Sequence, residues 1–286
     1  MVSLALLAAF ASGCAVSHKH AVAPAEIRPA QEATKDQLIA QYNSAAAAIQ
    51  SLNAGINLIP TAGSTYSGVI EEYHDVNGFI LAERPAKIRM IGQAPVVAKD
   101  VFDMVSDGET FRIFIPSKHK FIVGPTALER PAKKPIENLR PQHLLDAIFW
   151  PQIPAGAAVL FEESNEPPER YYVLTVLRHA SQGAEIERKI WFDRADLGFA
   201  RLEIYAAGGR LVSDIRFADW QPVSAGPAIK FPRHIWLSRP HDDYKLEIRV
   251  TKLTLNETIS ADRFDLPQPP GTELVRVGED SREPQP

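Results

Sequence analysis

The sequence predicts a mainly β (α+β) fold, in which one helix precedes the strands and a second helix lies in the middle of the chain. Three observations predict it. Apolar and polar residues alternate in many short runs. Turn signals such as Asp75-Val76-Asn77-Gly78 and Ser106-Asp107-Gly108 separate these runs at close spacing. Long helical segments never alternate with the strands, which excludes a parallel α/β sheet.

Composition limits the classes of partner. The chain has 286 residues, of which 45% are hydrophobic and 23% charged, and its net charge is −4. Removing the two ends leaves about 230 residues, which suffice for one sizeable core. Because there is no basic excess, nucleic acid is not an expected partner.

The N-terminal residues are typical of an exported lipoprotein. The apolar run from Leu4 to Cys14 is too short to span a membrane as a helix, but suits a signal peptide over residues 1–13. Ala11-Ser12-Gly13-Cys14 resembles a lipobox, which predicts a lipidated Cys14 and a membrane anchor. The alternative is a chance free cysteine. No Lys or Arg precedes Leu4, so we expect the true start codon upstream of Met1.

The first ordered element after the leader is predicted to be a helix. Residues 14–33 are rich in Ala and Pro, which predicts a flexible tether. Thr34 and Gln37 form a capping-box pattern. An apolar stripe at helical spacing then runs to Leu52, and Asn53-Ala54-Gly55 is the predicted end of the helix.

Two blocks of alternating residues predict the sheet. In Phe111–Ile115 the apolar residues occupy both faces, which indicates a strand covered on both sides. A change of register within the last strand predicts a β-bulge at Thr251-Lys252. The predicted strands are Tyr66–His74, Gly78–Glu83, Lys87–Gln93, Val101–Val105, Thr110–Pro116, Lys120–Val123, Tyr171–Arg178, Glu185–Asp193, Ala200–Tyr205, Leu211–Trp220, Lys230–Ser238 and Tyr244–Leu255.

A short and strongly apolar second helix is predicted after a loop over Ala127–Asn138. Pro141 suits its first turn, and Pro151 ends it. This helix either covers a dry pocket on the sheet or completes the core, and the sequence does not decide between the two. Its apolar side consists of Leu144, Leu145, Ile148, Phe149 and Trp150.

Catalytic motifs are absent from the sequence. We find no Gly-x-Ser-x-Gly, no His-Glu-x-x-His, no paired cysteines and no glycine-rich phosphate loop. The histidines are scattered, and Glu162-Glu163-Ser164 is predicted to be a solvated loop. We therefore predict no catalytic residue, metal or cofactor, and a protein that is not an enzyme.

The order of the motifs resembles the bacterial LolA/LolB lipoprotein superfamily over residues 34–275. An Arg84-Pro85 turn precedes one strand, and the Ser106-Asp107-Gly108 turn precedes an aromatic-rich strand that ends at Pro116. Phe264-Asp265-Leu266-Pro267 resembles the ending of LolA-like lipoproteins. The remaining residues, 276–286, are predicted to be a disordered tail.

The resemblance implies an incomplete antiparallel β-barrel of about 11 strands, with helices acting as a lid over a hydrophobic cavity. In the family, LolA is a soluble periplasmic carrier and LolB is its lipid-anchored outer-membrane receptor. Arg84 matches the arginine that bonds to the lid. The chain departs from LolA in its lipobox and its greater length, and we identify no protruding apolar loop of the LolB type.

Three functions remain open from the sequence. The leading hypothesis is an envelope lipoprotein that binds acyl chains of lipids or lipoproteins and acts in their transport or localisation to the outer membrane. Ala15, which follows the cysteine where an inner-membrane lipoprotein of enteric bacteria would have Asp, favours the outer membrane. The alternatives are a structural or assembly lipoprotein that binds an envelope protein partner, and an envelope enzyme with an unfamiliar site.

Overall fold

The computed structural model describes residues 28–64, 69–72, 75–94, 99–126, 140–166, 169–181, 183–223 and 229–277. The predicted signal peptide, Cys14, the predicted tether up to residue 27, the whole Ala127–Asn138 loop and the tail from residue 278 lie outside these residues. No helix in the described ranges is long and apolar enough to cross a membrane.

The described residues contain two α-helices and fifteen strands. The helices are α1 (Lys35–Ala47) and α2 (Pro141–Ile148). The strands are β1 (Ser51–Ser64), β2 (Val69–Glu72), β3 (Val76–Glu83), β4 (Lys87–Gln93), β5 (Asp100–Ser106), β6 (Thr110–Ile115), β7 (Lys120–Pro125), β8 (Ala158–Glu166), β9 (Glu169–Ala180), β10 (Gly183–Asp193), β11 (Gly198–Tyr205), β12 (Leu211–Pro222), β13 (Lys230–Arg239), β14 (Tyr244–Leu255) and β15 (Glu273–Arg276).

All strands belong to one sheet in the order β15-β7-β6-β5-β4-β3-β1-β14-β13-β12-β11-β10-β9-β8, and β2 pairs with β1. Within the described ranges the end strands β15 and β8 do not pair with each other, so the sheet is not closed into a barrel. The predicted fold class, a mainly β protein with an incomplete barrel, is confirmed. The strands outnumber the 11 that the resemblance implies, and β15 runs parallel to β7.

The first helix starts where the sequence predicts but ends earlier. The Thr34 hydroxyl accepts a hydrogen bond from the Gln37 amide at 3.3 Å, and the Gln37 side chain accepts one from the Thr34 amide at 2.8 Å. The helix ends at Ala47, and Leu52 lies in β1. The predicted extension to Asn53 was wrong because Leu52 fits both a helical stripe and the two-residue alternation of the strand.

Three strands escaped prediction: the central strand β1, and β8 and β15, which lie at the edges of the sheet. The predicted loop Glu162-Glu163-Ser164 is part of β8, and β15 reaches Arg276 at the start of the predicted tail. An edge strand has one free side and tolerates polar residues, so it lacks an apolar alternation. Arg28 and Gln31, at the end of the predicted tether, also contact the sheet, where Gln31 N donates to Arg194 O at 2.7 Å.

Two finer predictions are confirmed. The register between β1 and β14 shifts from Gly55–Lys252 to Ile56–Val250, so that Thr251 is bulged. The strand β6 is covered on both faces: Phe111 is buried at one face, while Phe114 packs against a small outer cluster of Val105, Phe121 and Leu266.

The main core lies on the face of the sheet that carries α1 and α2, which we call the inner face. Every second residue of the central strands is buried there, for example Leu52, Ile80, Met90 and Ile248. The opposite, outer face is crossed by the C-terminal segment that leads to β15. The two helices therefore determine what the inner face can contact.

Candidate functional site

The helix α2 presents its entire predicted apolar side to the inner face. Pro141 occupies the first helical turn, and the helix ends at Ile148, so that Phe149 and Trp150 belong to the segment that follows it. All five predicted lid or cavity residues are buried, namely Leu144, Leu145, Ile148, Phe149 and Trp150. The structure thus brings this group together against the sheet.

Trp150 anchors the C-terminal end of this unit. Its side chain is completely buried among aromatic rings of β11, β12 and β13, with centroid distances of 5.2 Å to Phe199, 5.6 Å to Phe217 and 5.4 Å to Trp220. Aromatic contacts at these distances add to the apolar burial. The indole nitrogen has no hydrogen-bond partner in the described part of the chain, so this anchor is apolar.

Arg84 connects the ends of both helices to the turn between β3 and β4. Its guanidinium donates to Ile49 O at 2.8 Å, to Ala46 O at 3.1 Å and to Trp150 O at 3.2 Å. It also lies 4.9 Å above the Phe149 ring. Burial lowers the pKa of Arg84 from its ordinary value, but an arginine remains charged at neutral pH. The family resemblance implied that Arg84 lies near the backbone of the α2 segment, where the structure places it. That Arg84 holds a lid closed stays a prediction.

A second connection, which the sequence analysis missed, is made by Gln142 at the start of α2. Its amide nitrogen donates to Ser106 Oγ at 2.8 Å and approaches Ala86 O at 3.4 Å. Ala86 and Ser106 belong to the two turns on which the family resemblance rests. These turns pack closely, because a Cβ added at Gly108 would lie 2.6 Å from Ala86 Cβ. The motif turns therefore form one platform that holds both ends of α2.

The remaining side of α2 is polar and faces the hairpin between β13 and β14. His143 Nδ1 forms a short hydrogen bond with the Tyr244 hydroxyl. Burial, with smaller contributions from Arg239 and Arg140, holds the pKa of His143 well below its ordinary value, so the ring is neutral at pH 7. Burial raises the pKa of Asp146 to about 6, against an opposing effect of Arg239. The helix thus carries one carboxyl group, Asp146, that titrates near pH 6, beside a histidine that stays neutral at that pH or above.

The inner-face site presents apolar side chains in the part of the chain that the structure describes. No group of three metal-binding side chains occurs there. A groove of about 740 Å³ lies on the outer face, on the opposite side of the sheet from α2. On the inner face, α2 itself occupies the space over the sheet where the sequence analysis placed a cavity.

Known proteins are similar to this chain in structure but not in sequence. No protein-family model matches the sequence, and no curated protein matches it. A DUF1329 family protein from Desulfovibrio piger has 12% identity and a TM-score of 0.50, over 80% of this chain and 94% of that one. A LolA superfamily protein from Nitrosomonas europaea has 11% identity and a TM-score of 0.48, over 82% and 99% of the two chains.

An outer membrane lipoprotein-sorting protein domain from Vibrio parahaemolyticus has 10% identity and a TM-score of 0.47, over 79% of this chain and 94% of that one. At such low identities these similarities concern the fold alone. The chain has the kind of fold that the motif resemblance implies, an open, mainly antiparallel sheet with few helices, and it is similar in fold to the DUF1329 family protein.

Proposed function

We propose that this protein binds acyl chains of lipids or lipoproteins between α2 and the inner face, and that it acts in their transport or localisation in the cell envelope. One observation carries the proposal: a single side chain, Arg84, joins the ends of both helices and the β3–β4 turn. Loss of its hydrogen bond to Trp150 O would release the C-terminal end of the apolar α2 segment from the β3–β4 turn and from α1.

The free energies allow an acyl chain to replace the helix. Full burial of one large apolar side chain contributes about 1.5–3 kcal/mol, so the five apolar residues of the α2 segment contribute on the order of 10 kcal/mol. Each buried CH₂ of an acyl chain contributes about 0.8 kcal/mol, so a chain of roughly 14 carbons gains a similar amount. The exchange is therefore nearly balanced, as a carrier that must release its cargo requires.

The test compares half-buried Arg84 with buried Arg194, since each of these arginines stacks on an aromatic ring. Arg84→Met removes the connection to α2, whereas Arg194→Met is the matched control, since Arg194 lies 4.5 Å above Tyr172 and bonds to Glu32 and Glu163 instead. We expect both variants to melt at lower temperature. Only Arg84→Met should bind a fluorescent fatty acid about tenfold more tightly, because more molecules have α2 released.

If fatty-acid binding is unchanged in both variants, or changes equally in both, α2 is not a lid over an acyl-chain site. A second candidate function then applies: a structural or assembly lipoprotein that binds an envelope protein partner. The complete burial of Trp150 favours this candidate, because a permanent plug would be packed in this way. Labelling by a photoreactive fatty acid within residues 141–150 separates the two, since the scaffold binds no acyl chain at the inner face.

The membrane anchor is tested separately at Cys14. The proposal assigns a diacylglyceryl group to this cysteine and places the protein at the outer membrane, facing the periplasm, on the basis of the lipobox-like motif and Ala15. Cys14→Ser should move the protein from the membrane fraction to the soluble fraction. Continued membrane association, with no lipid mass on the N-terminal peptide, would contradict the anchor.

A further inference from the structure

The groove on the outer face lies between the central strands and the segment that follows β14. The strands β3, β4, β1 and β14 form its floor, and Arg263 of the short helical turn Ala261–Phe264 lies at its side. Its volume of about 740 Å³ falls within the range of about 300–1,000 Å³ that is usual for small-molecule sites. The groove belongs to neither helix, so it is distinct from the inner-face site.

The floor of the groove is apolar where a solvated sheet face would be polar. Phe79 pairs with Ile91 across β3 and β4, and Leu81 lies on the same face two residues further along β3. Their chain neighbours Ile80 and Met90 point into the main core. Phe79 is nevertheless 51% exposed, and its partner on β1 is Gly55, which has no side chain to cover it.

The neighbouring part of the same outer face, over β5 to β7, is covered by the C-terminal segment. On β5 and β7, Val105 and Phe121 are buried beneath Leu266 of the C-terminal segment. That segment reaches the groove through Arg263, but it leaves Phe79 exposed. The apolar strip over β3 and β4 is thus the uncovered continuation of a covered one.

The charged side chains that line the groove are all positive, although the Asp103 and Asp262 carboxylates lie next to two of them. Arg89, Lys252 and Arg263 line it, and no carboxylate is among its lining residues. Arg89 is already paired with Asp103 at 2.7 Å. Lys252 and Arg263 are exposed and form no ion pair within the described ranges. Two cations therefore flank the apolar floor: Lys252 on β14, on the far side of Gly55 from Phe79, and Arg263 beside β4, where its carbonyl accepts from Arg89.

We infer that this outer groove binds a single-chain anionic lipid, of which a long-chain fatty acid is the simplest example. The cation on either side of the floor, Lys252 or Arg263, binds the anionic head, and the acyl chain lies over Phe79, Leu81 and Ile91. A stable protein interface buries at least about 1,200 Å² in total, which three apolar side chains do not provide. A single acyl chain matches the small apolar floor, and its head reaches a cation at the side of that floor.

Mapping with a photoreactive fatty acid on the full chain tests the location. The probe carries a diazirine on its acyl chain, and labelled peptides are identified by mass spectrometry. We expect labels within residues 79–91 and 252–263, and we expect unlabelled palmitate to compete for them. Labels confined to residues 141–150 would overturn the outer site and leave the inner-face proposal standing. An absence of labels in both regions would overturn the outer site. The comparison of Arg84→Met with Arg194→Met tests the inner-face site independently.

Charge variants test the chemistry of the ligand. Replacing both Lys252→Gln and Arg263→Gln should weaken fatty-acid labelling of the groove about tenfold, because each charged hydrogen bond contributes strongly. Lys245→Gln is the matched control, since Lys245 is an exposed lysine elsewhere on β14. Competition by palmitate methyl ester should be weak for the unmodified protein. Equal competition by the acid and the ester, or no effect of the double variant, would overturn the assignment of an anionic ligand.

Discussion

The two faces of the sheet are built from the same strands but are closed in different ways. On the inner face, two helices and the aromatic group around Trp150 cover the apolar side chains of the sheet. On the outer face, a C-terminal segment covers β5 to β7 and leaves a groove over β3 and β4. A ligand can therefore reach the inner face only after a helix moves away from the sheet, whereas the outer groove is open without any movement.

This difference also determines where stability resides. The inner face contributes most of the buried apolar area, so changes there should affect folding and binding together. The outer groove contributes little burial, so changes there should affect binding alone. Four variants, ordered by the size of the expected effect, test this contrast.

The largest effect is expected for Trp150→Ala. The side chain is completely buried, and its removal leaves a cavity that rigid neighbouring rings do not fill, so the free energy of unfolding should fall by about 3–5 kcal/mol. Urea unfolding followed by circular dichroism measures this. Trp236→Ala on the outer face is the control, because Trp236 is 38% exposed and should cost less than about 1 kcal/mol. Equal losses of unfolding free energy in Trp150→Ala and Trp236→Ala would contradict the proposed difference between the two faces.

Gly108→Ala should have the next largest effect, since it acts on the platform that holds α2. Gly108 has φ +104°, and the new Cβ would lie 2.6 Å from Ala86 Cβ, so we expect a loss of about 2–3 kcal/mol. Gly183→Ala separates backbone strain from the clash, because Gly183 has φ +127° with open space around it. A thermal melt that shifts equally for both variants would show that the platform contact is unimportant.

Asp146→Asn should change the pH dependence of stability. The pKa of Asp146 is raised from 3.8 to about 6 in the folded protein, so its favourable contribution is present below pH 4 and lost as pH rises through 6. The variant should therefore be about 1–3 kcal/mol more stable than the unmodified protein at pH 7.

His143 acts in the opposite direction, because its folded pKa is depressed and stability is lost as pH falls below 6.5. Asp146→Asn leaves this loss uncompensated, so its stability should fall more steeply from pH 7 to pH 5 than that of the unmodified protein. His143→Gln should show the reverse slope. Urea unfolding at a series of pH values measures both, and parallel curves for all three proteins would contradict the assignment.

The smallest effect on stability is expected for Phe79→Ser. Since half of this side chain is already exposed, the free energy of unfolding should change by less than about 1 kcal/mol. Fatty-acid labelling of the outer groove should nevertheless fall severalfold. Phe161→Ser is the control, as Phe161 is a partly exposed phenylalanine on β8. A large loss of stability in Phe79→Ser would show that the outer face contributes to folding as the inner face does.

The sequence alone was informative wherever a few neighbouring residues decide the conformation. The capping box at Thr34, the bulge at Thr251, the prolines around α2 and the covered strand at Phe111 were all readable, because each depends on local geometry or on alternation within one strand. The motif turns at Arg84 and Gly108 also identified the fold class.

Only the tertiary structure decided the features that depend on distant residues. The strand β8 is set by pairing with β9 and has no apolar pattern of its own, and the change from α1 to β1 occurs where helical and strand patterns overlap. The three carbonyls bound by Arg84 lie 35 to 66 residues away along the chain. The outer groove likewise combines side chains from four strands, so no local pattern marks it: its shape exists only once long-range pairing has placed Phe79 beside Lys252.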